Sequence, residues 1–397
     1  TSDIRREITI ETLLPKKVDS FPWAGHLGLH MLPELMAKLD PDVSTLIFTN
    51  TRSQCERWYQ ALTTELPAFA SKIAIHHSSI DRDEREFIEG AMKAGFLKWV
   101  VCTSSLDLGV DFSPVERVVQ IGSAKAVSRL IQRAGRSHHS PKKKSKVLFV
   151  PTHALELIEV AALRKALKEG VIESRSPVHK PFDVLAQHLV TLACGDGFDP
   201  DTIFNEVTST YSYRNLSRQE LSQILNFIER GGETLKSYPE YQKVRLENSD
   251  GQALYKVRMP QIAKFHRLSI GTITSYASVQ LRLRNRSRIG TIEENFIAKL
   301  KPGDVFYFSG RPLRMVRIFN SEAIVEPAHT RTNNIPSWAG SKFPVSASVS
   351  HYVRHELGTG LKDSSRSEQK VIAPIIEAQR EVSRVPTEKE MLVELFR

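Results

Sequence analysis

The first part of the chain alternates short apolar runs with amphipathic segments. Residues 53–66 and 82–94 repeat apolar positions at helical spacing, and Ile8 and Ile10 predict an edge strand before Pro15. Five further runs have the length and composition of buried strands: 46–48, 73–75, 100–102, 118–121 and 147–150. This alternation is typical of a parallel sheet with helices on both faces.

The pattern changes to helices and one hairpin after residue 150. A helix is predicted over 153–170, and three more follow at 182–193, from Asp199-Pro200 onward, and from the capping-box pattern at Ser217. Residues 241–257 then alternate like two strands around an Asn-Ser-Asp-Gly turn. Three helices and a hairpin predict a winged helix, which either binds nucleic acid or braces its neighbours.

From residue 259 to 353 the pattern is that of β-structure. Residues 281–288 alternate with period two and predict one strand with Arg282, Arg284 and Arg286 on the same face. Further strands are predicted at 304–308, 313–319 and 323–326. Between residues 282 and 317 the chain has nine Lys or Arg and three acidic residues. The aromatic residues 306–308 either form a stacking surface for bases or belong to the core. Residues 358–366 are predicted to be a linker before a last helical stretch, 367–397.

Composition narrows the class of partner. The formal net charge of +10 and the sequence pI of about 9.4 favour a polyanion, although charge alone does not separate nucleic acid from a membrane surface. Three cysteines without a CxxC pair argue against a disulfide framework or a zinc cluster. No apolar run approaches the roughly 18 residues that a membrane span needs.

Polar clusters follow three of the predicted strands. They are Asn50-Thr51-Arg52, His77-Ser78-Ser79 and Thr103-Ser104. Because ligands of parallel sheets bind at the carboxyl ends of the strands, we expect these clusters to form one site. The alternative is that they are ordinary solubilising loops.

A loop and a helix after the third cluster carry further chemistry. Asp107 and Asp111 bracket Gly109, and the following helix, over 124–135, has an apolar face. The opposite face is predicted to carry Arg129, Gln132, Arg133 and Arg136. Guanidinium groups on one face of an anchored helix suit phosphate recognition, whereas the simpler interpretation is a solvated surface helix.

These stretches resemble the motifs of superfamily 2 helicases. Residues 46–52 resemble motif IV, residues 103–111 resemble motif V, and Gln132-Arg133-Ala134-Gly135-Arg136 with His139 resembles the QRxGRxx[R/H] of motif VI. The combination with HHSSIDRDER is closest to the Lhr-type (large helicase-related) branch, which includes ligase-associated DEXH-box helicases. Residues 335–340 resemble the PxWxG element of that branch, with Trp338 either stacking on a base or anchoring its loop.

The resemblance implies a domain order. Residues 1–152 would be the second RecA-like domain, 153–258 a connecting helix and winged helix, 259–356 a β-rich domain, and 357–397 part of a helical domain. The sequence contains neither GxxxxGK[ST] nor a DExH stretch. We therefore expect the first RecA-like domain, which would hold most of the ATP and Mg²⁺ contacts, to lie outside this chain, and the chain alone to be inactive.

The resemblance also implies roles for individual residues. Gln132, Arg133 and Arg136 would act in catalysis, with Arg136 pointing into an open cleft. Nucleotide contacts would come from Asp107, Gly109, Asp111 and His139, the last standing where many superfamily 2 proteins have Arg. Nucleic-acid contacts would come from Thr51, Arg52, Ser78, Ser79, Thr103, Ser104, Arg282, Arg284, Arg286 and Trp338.

The function implied by the resemblance is that of an ATP-dependent helicase. It would couple ATP hydrolysis to movement on single-stranded nucleic acid, with DNA favoured, in DNA repair. The resemblance further implies a monomer in the cytoplasm, with a ligase or nuclease as a conceivable partner. The alternative function is a non-catalytic nucleic-acid-binding module with a degenerate RecA-like domain.

Overall fold

The computed structural model describes most of the chain, in two compact units. The described residues are 8–16, 21–22, 27–107, 115–137, 145–174, 176–232, 237–249, 252–268, 278–319, 322–330, 332–336, 338, 344–358, 367–386 and 389–395. One unit is Ser174–Tyr276, and the other joins Thr1–Glu173 to Ala277–Arg397. The domain boundaries after residues 152, 258 and 356 stay predictions.

The larger unit contains a six-stranded parallel sheet, here called the sheet domain. Its strands are β1 (Ile8–Thr12), β2 (Thr45–Phe48), β3 (Ile73–His76), β4 (Trp99–Cys102), β5 (Arg117–Ile121) and β6 (Ser145–Val150). Their spatial order is β1-β6-β5-β2-β4-β3, and every neighbouring pair is parallel. Strands β2, β3 and β4 are buried at every position, as continuous apolar runs covered on both faces should be. The predicted parallel sheet is thus confirmed.

Helices cover both faces of this sheet. They are α1 (Leu32–Met36), α2 (Arg52–Glu65), α3 (Arg82–Lys93), α4 (Val127–Ala134) and α5 (Leu155–Glu169). Two hydrophobic cores result, because alternate strand residues such as Ile47 and Leu46 belong to different cores. Thr51 and Asp81 cap the N-termini of α2 and α3 with their side chains, so both helices begin directly after a strand or its loop.

The smaller unit has the winged-helix composition that the sequence predicts. It contains α6 (Phe182–Ala193), α7 (Pro200–Thr208), α8 (Arg218–Arg230), the antiparallel hairpin β7 (Val244–Ser249) and β8 (Gln252–Val257), and α9 (Pro260–Leu268). The capping box between Ser217 and Glu220 is present, and α8 ends at Gly231 with a left-handed φ of 75°. The hairpin turn itself, 250–251, lies outside the described residues.

A second, five-stranded sheet, here called the β domain, belongs to the larger unit. It is built from β9 (Ser278–Leu283), β10 (Arg288–Glu293), the short helix α10 (Glu294–Ile297), β11 (Val305–Phe308), β12 (Arg311–Phe319) and β13 (Glu322–Pro327), in the order β10-β9-β13-β12-β11. The prediction of one strand over 281–288 is wrong, because the chain turns at 284–287 and pairs β9 with β10. The Asn285 side chain accepts a hydrogen bond from the Ser287 N–H at 3.1 Å, and Arg286 has a left-handed φ of 66°.

The remaining helices pack on the sheet domain. α11 (Ala347–Gly358) and α12 (Ser367–Val382) both contact α5. The prediction of helix up to residue 397 is wrong, since the chain leaves the helix after Val382 and residues 389–395 have no regular secondary structure. Pro386 opposes helix there, because proline disfavours helical backbone in the residue before it. Within the described residues, no helix is long and apolar enough to cross a membrane.

Candidate nucleotide and nucleic-acid site

The carboxyl ends of β2, β3, β4 and β5 meet at one edge of the parallel sheet. The loops that leave them contain all three predicted polar clusters, because neighbouring parallel strands run in register. Thr51, Ser78 and Ser104 are exposed on this edge, and Arg52 is half-buried. Burial lowers the pKa of Arg52, although Glu293 acts in the opposite direction. This edge therefore offers hydroxyl and guanidinium donors to a ligand.

Two predicted nucleic-acid residues of this edge are buried. Ser79 is 3% exposed, and its carbonyl accepts a hydrogen bond from the Thr291 N–H of β10 at 2.9 Å. Thr103 is 6% exposed, and its N–H donates to the His76 carbonyl at 3.2 Å. Direct contact between these side chains and nucleic acid does not fit this structure, and that part of the sequence prediction is corrected. Burial by another strand, here β10, is not visible in a local sequence pattern.

Arg133 is the centre of a buried cluster beside this edge. Its guanidinium donates to Asp107 Oδ1 at 2.8 Å and to Gln120 Oε1 at 2.6 Å, and lies 4.8 Å from the Phe48 ring centroid. With 1% of its surface exposed, Arg133 contradicts the predicted exposed polar face. A buried guanidinium is tolerated here because a carboxylate and an amide oxygen satisfy its donors. Arg133 thus joins α4 to the loop after β4.

Asp107 is shared among three arginines. Its carboxylate pairs with Arg133 and lies 3.7 Å from Arg129, while its backbone carbonyl accepts from Arg136 Nη2 at 2.8 Å. The Asp107 side chain is 8% exposed. The predicted nucleotide contact of Asp107 is therefore corrected to an internal ion pair. Gly109, Asp111 and His139, the other predicted nucleotide contacts, lie outside the described residues.

Gln132 is on the accessible side of α4, and Arg136 follows the C-terminal end of that helix. Gln132 is exposed, and Arg136 is half-buried with part of its guanidinium held by the Asp107 carbonyl. Arg136 is therefore oriented by the loop after β4, rather than only pointing into an open cleft as predicted. The catalytic roles of Gln132, Arg133 and Arg136 stay predictions.

A carboxylate that sequence reasoning missed caps α4. Glu173 accepts hydrogen bonds from the Val127 and Ser128 N–H groups at 2.6 and 2.8 Å, and from Ser346 Oγ at 2.9 Å. Burial alone would raise the pKa of Glu173, but these backbone hydrogen bonds outweigh it and lower the pKa to about 2. The residue before α4, Ala126, has no side-chain acceptor, which was the available signal that a distant group must cap the helix.

The loop after β5 is held by carboxylates of α5. Glu156 accepts from the Ser123 N–H at 2.7 Å, Asn50 Nδ2 donates to the Ser123 carbonyl at 2.9 Å, and Glu159 accepts from Ser123 Oγ. Burial raises the pKa of Glu159 to about 7. Gly122 adopts φ 71° beside them, and a Cβ there would come within 3.2 Å of Glu156 Oε1. Asn50, the first residue of the motif IV-like cluster, is thereby fixed to this loop.

A second buried carboxylate, Glu56 of α2, connects the sheet domain to the β domain. Glu56 and His77 are both fully buried, with His77 Nε2 3.1 Å from Glu56 Oε1. The Ser309 and Gly310 N–H groups donate to the two carboxylate oxygens at 2.6 and 3.1 Å. We call this set the Glu56 bridge. Sequence analysis missed it, although an acidic residue among the buried positions of α2 was a signal.

Trp338 lies next to the Glu56 bridge. Its ring centroid is 5.6 Å from that of His77 and 6.2 Å from that of Phe308, and its ring is half-buried. Its indole N–H is buried without a hydrogen-bond partner among the described residues. These contacts support the anchoring role of Trp338, and its stacking on a base stays a prediction. Ser337, Ala339 and Gly340 of the same element lie outside the described residues.

The aromatic and basic residues of the β domain do not form a basic face with a stacking surface for bases. Phe306, Tyr307 and Phe308 are 0%, 8% and 0% exposed, so they belong to the core and offer no stacking surface. Arg282 and Arg284 pair with Glu322 at 2.7 Å and Glu326 at 2.6 Å. The count of charges over 282–317 did not include these two glutamates, because they lie further along the chain. They meet the arginines only in the folded sheet. Arg286 is exposed.

Metal binding finds no support in these side chains. Across the described ranges there is no group of three or more His, Cys, Asp or Glu side chains that could hold a metal ion. The predicted Mg²⁺ was assigned mainly to a domain outside this chain.

Two protein-family models match this chain. The model described as the large helicase-related protein winged helix domain matches residues 165–335, and the helicase conserved C-terminal domain matches residues 28–140. The winged-helix match extends from α5 into the β domain. The chain is therefore similar to Lhr-type helicases.

Curated relatives of this chain include two archaeal proteins. "ATP-dependent helicase Lhr-Core protein 2" of Thermococcus barophilus is 31% identical over 342 residues, which are 86% of this chain and 39% of the relative. "ATP-dependent helicase Lhr-Core" of Methanocaldococcus jannaschii is 28% identical over 410 residues, or 99% of this chain and 46% of the relative. The chain thus spans less than half the length of these curated relatives.

Solved structures share the fold. The Mycobacterium smegmatis helicase Lhr, solved with ssDNA and AMP-PNP, has a TM-score of 0.66 at 21% identity, covering 95% of this chain and 46% of that one. The DUF1998 helicase MrfA, solved with DNA, has a TM-score of 0.58 at 17% identity, covering 81% of this chain and 43% of that one. The likeness supports the Lhr-type arrangement of a RecA-like sheet, a winged helix and a further sheet.

Proposed function

We propose that the chain serves in an ATP-dependent helicase that moves along single-stranded nucleic acid, with DNA as the favoured strand. The observation that carries the proposal is the arginine set at the sheet edge. The Arg133 guanidinium is occupied by the internal pair with Asp107, and the Asp107 carbonyl orients Arg136. A half-buried guanidinium oriented in this way fits a phosphate better than a freely rotating side chain would.

Within this proposal, ATP would place its phosphates against α4 and supply the free energy of movement. The residues present fit a phosphate, because Arg136 is accessible and oriented beside the exposed Gln132. Arg136 would then stabilise charge that develops during phosphoryl transfer. Thr51, Ser78 and Ser104, exposed on the same edge, would donate hydrogen bonds to the strand backbone. Mg²⁺, a cytoplasmic location, a role in DNA repair and a ligase or nuclease partner stay predictions.

The test is nucleic-acid-stimulated ATP turnover by the intact helicase. Arg136→Ala should lower kcat by about 10³–10⁵, because an arginine acting on the transition state contributes that much in related enzymes. Arg136→Lys should not restore turnover, since a point charge cannot reproduce the planar guanidinium. Nucleic-acid binding should change little in both variants.

The matched control is Arg82→Ala, which removes an 80% exposed guanidinium from α3 and should leave kcat unchanged. A second control is the 397-residue chain alone, whose sequence has no GxxxxGK[ST] and for which we expect no stimulated turnover. The proposal fails if Arg136→Ala keeps kcat within about twofold of the wild type.

A further inference from the structure

The β domain has a basic cleft on the outer face of its sheet. The cleft has a volume of about 530 Å³ and is lined by Arg282, Arg286, Arg317, Phe319, Glu322 and Ile324. A volume of this size is in the range of small-ligand pockets. The cleft is distinct from the edge of the parallel sheet that carries Arg136.

Strand register places these side chains together. Arg282 of β9 is opposite Ile324 of β13, which in turn is opposite Arg317 of β12. The two arginines are therefore in one row, two strands apart, with their Cα atoms roughly 10 Å from each other. Phe319 is opposite Glu322 in the next row of the same face, because residues two apart in a strand share a face.

A β-bulge determines which way Arg317 faces. Met315 pairs with the core residue Val325, but Arg317 pairs with Ile324, so Val316 is an extra residue in β12. In regular pairing of the same sequence without the bulge, Arg317 would be opposite Ala323, which is fully buried, and its guanidinium would face the core. The bulge thus directs Arg317 outward, as bulges near functional sites often do.

The charges of the cleft are only partly balanced. Arg282 pairs with Glu322 at 2.7 Å and also donates to the Arg286 carbonyl at 3.0 Å. Arg286 and Arg317 are exposed, and within the described ranges neither has a carboxylate partner. Two guanidiniums without a counter-charge in one cleft favour an anion that brings oxygen acceptors.

Arg286 occupies a backbone conformation that other residues adopt more easily. Its φ of 66° is in the left-handed region, where Gly, Asn and Asp are favoured and a long side chain costs free energy. Strained positions of this kind are concentrated at functional sites. We expect the turn to be more stable with glycine at this position, so the guanidinium there indicates a functional role rather than a structural one.

Phe319 adds an aromatic surface to the same cleft. It is 66% exposed, and together with Ile324 it gives the cleft an apolar surface beside the arginines. We propose that this cleft binds one nucleotide unit of single-stranded nucleic acid, with Arg286 and Arg317 on the phosphodiester and Phe319 against the base. The proposal rests on the proposed nucleic-acid substrate. It replaces the predicted row of contacts at Arg282, Arg284 and Arg286 by a defined site. An acidic peptide would use the arginines but would not need the ring.

The experiment measures binding of a fluorescent oligothymidylate of about 15 nucleotides to the 397-residue chain, at several salt concentrations. Arg286→Gly and Arg317→Ala should each weaken binding and reduce the slope of log affinity against log salt by about 0.7, as expected for one lost phosphate contact. Phe319→Ala should weaken binding about fivefold or more without changing that slope. Arg286→Gly should not lower the melting temperature, because glycine relieves the left-handed strain.

The control is Lys299→Ala, which removes one exposed positive charge of the same domain outside the cleft and should leave the affinity within about twofold. Wild-type affinity in both arginine variants would overturn the inference, as would equally strong competition by polyglutamate. If the Arg136 prediction holds while the cleft variants bind normally, only the cleft assignment fails. If no form of the chain binds the oligonucleotide, the proposed nucleic-acid substrate fails with it.

Discussion

Buried carboxylates at the edge of the parallel sheet hold the loops that carry the candidate site. Asp107 is neutralised by Arg133, whereas Glu159 has a hydroxyl donor from Ser123 and the neighbouring acid Glu156. Burial therefore raises the pKa of Glu159 to about 7.

Glu159→Gln should stabilise the protein at high pH. Because the folded state keeps Glu159 protonated up to about pH 7 while the unfolded chain ionises near pH 4.5, the free energy of unfolding falls as pH rises between these values. Glutamine keeps the acceptor for Ser123 without this loss. We expect a gain of about 1–3 kcal/mol above pH 7 and none below pH 4, measured by urea denaturation across pH.

The control for this measurement is Glu206→Gln, because Glu206 is an exposed acidic residue of the winged-helix unit. It should follow the wild type at every pH. A gain from Glu159→Gln that is equally large at pH 4 would contradict the titration and indicate a packing effect.

Sequence periodicity located α4 but not the direction of each of its side chains. Val127, Leu130 and Ala134 are buried as their spacing predicts. Arg133 was assigned to the polar face because of its charge, although it lies between Leu130 and Ala134 in helical spacing. The partners that make its burial possible, Asp107 and Gln120, come from other loops and strands, and a local pattern cannot show them.

At the scale of elements, α4 depends on a cap that comes from outside it. Glu173→Ala removes the acceptor for two backbone N–H groups and should cost about 0.5–2 kcal/mol of stability. Since Arg136 follows the other end of α4, we also expect a lower kcat in the intact helicase with an unchanged KM for ATP. Glu173→Gln, which keeps one acceptor oxygen, should recover part of kcat.

The cap should act at every pH at which the helicase is assayed. The pKa of Glu173 is lowered to about 2, so its contribution is complete above the ordinary glutamate pKa of about 4.5 and is lost as pH falls toward 2. Glu173→Ala should therefore show the same deficit at every pH from 6 to 9. A kcat deficit that disappears within that range would argue against the cap.

The elements that sequence analysis identified are those with strong local periodicity. All six strands of the parallel sheet and the three winged-helix helices were predicted near their observed positions. The β9–β10 hairpin was missed because the alternation of Leu, Arg and Asn continues through the turn at Asn285 and Arg286. An alternating pattern shows which residues share a face only within one continuous strand. The reversal of the chain is seen in the structure, in the left-handed backbone of Arg286.

At the scale of the molecule, the Glu56 bridge joins the sheet domain to the β domain. Glu56→Ala would leave the buried Ser309 N–H and the partly buried Gly310 N–H without their acceptor, at about 1–3 kcal/mol for the buried group. We expect faster hydrogen exchange at the β11–β12 turn and a lower free energy of unfolding, measured on the whole chain.

Glu84→Ala is the matched control for Glu56→Ala, since Glu84 contacts the same turn through Arg311 and Ser309 but is 33% exposed. Its removal should cost less than about 1 kcal/mol. If both substitutions have the same effect, burial of Glu56 is not what stabilises the junction.

The loop after β3 also forms hydrogen bonds with β10, at the edge of the sheet of the β domain. The Thr291 N–H donates to the Ser79 carbonyl at 2.9 Å, and the Asp81 N–H donates to the Ile289 carbonyl at 3.0 Å. These bonds occupy main-chain groups of β10, an edge strand, that would otherwise be open to pairing with another molecule. At the opposite edge, the Tyr307 N–H of β11 donates to the Asn334 carbonyl. A β domain separated from its neighbour would therefore expose β10 as a template for self-association.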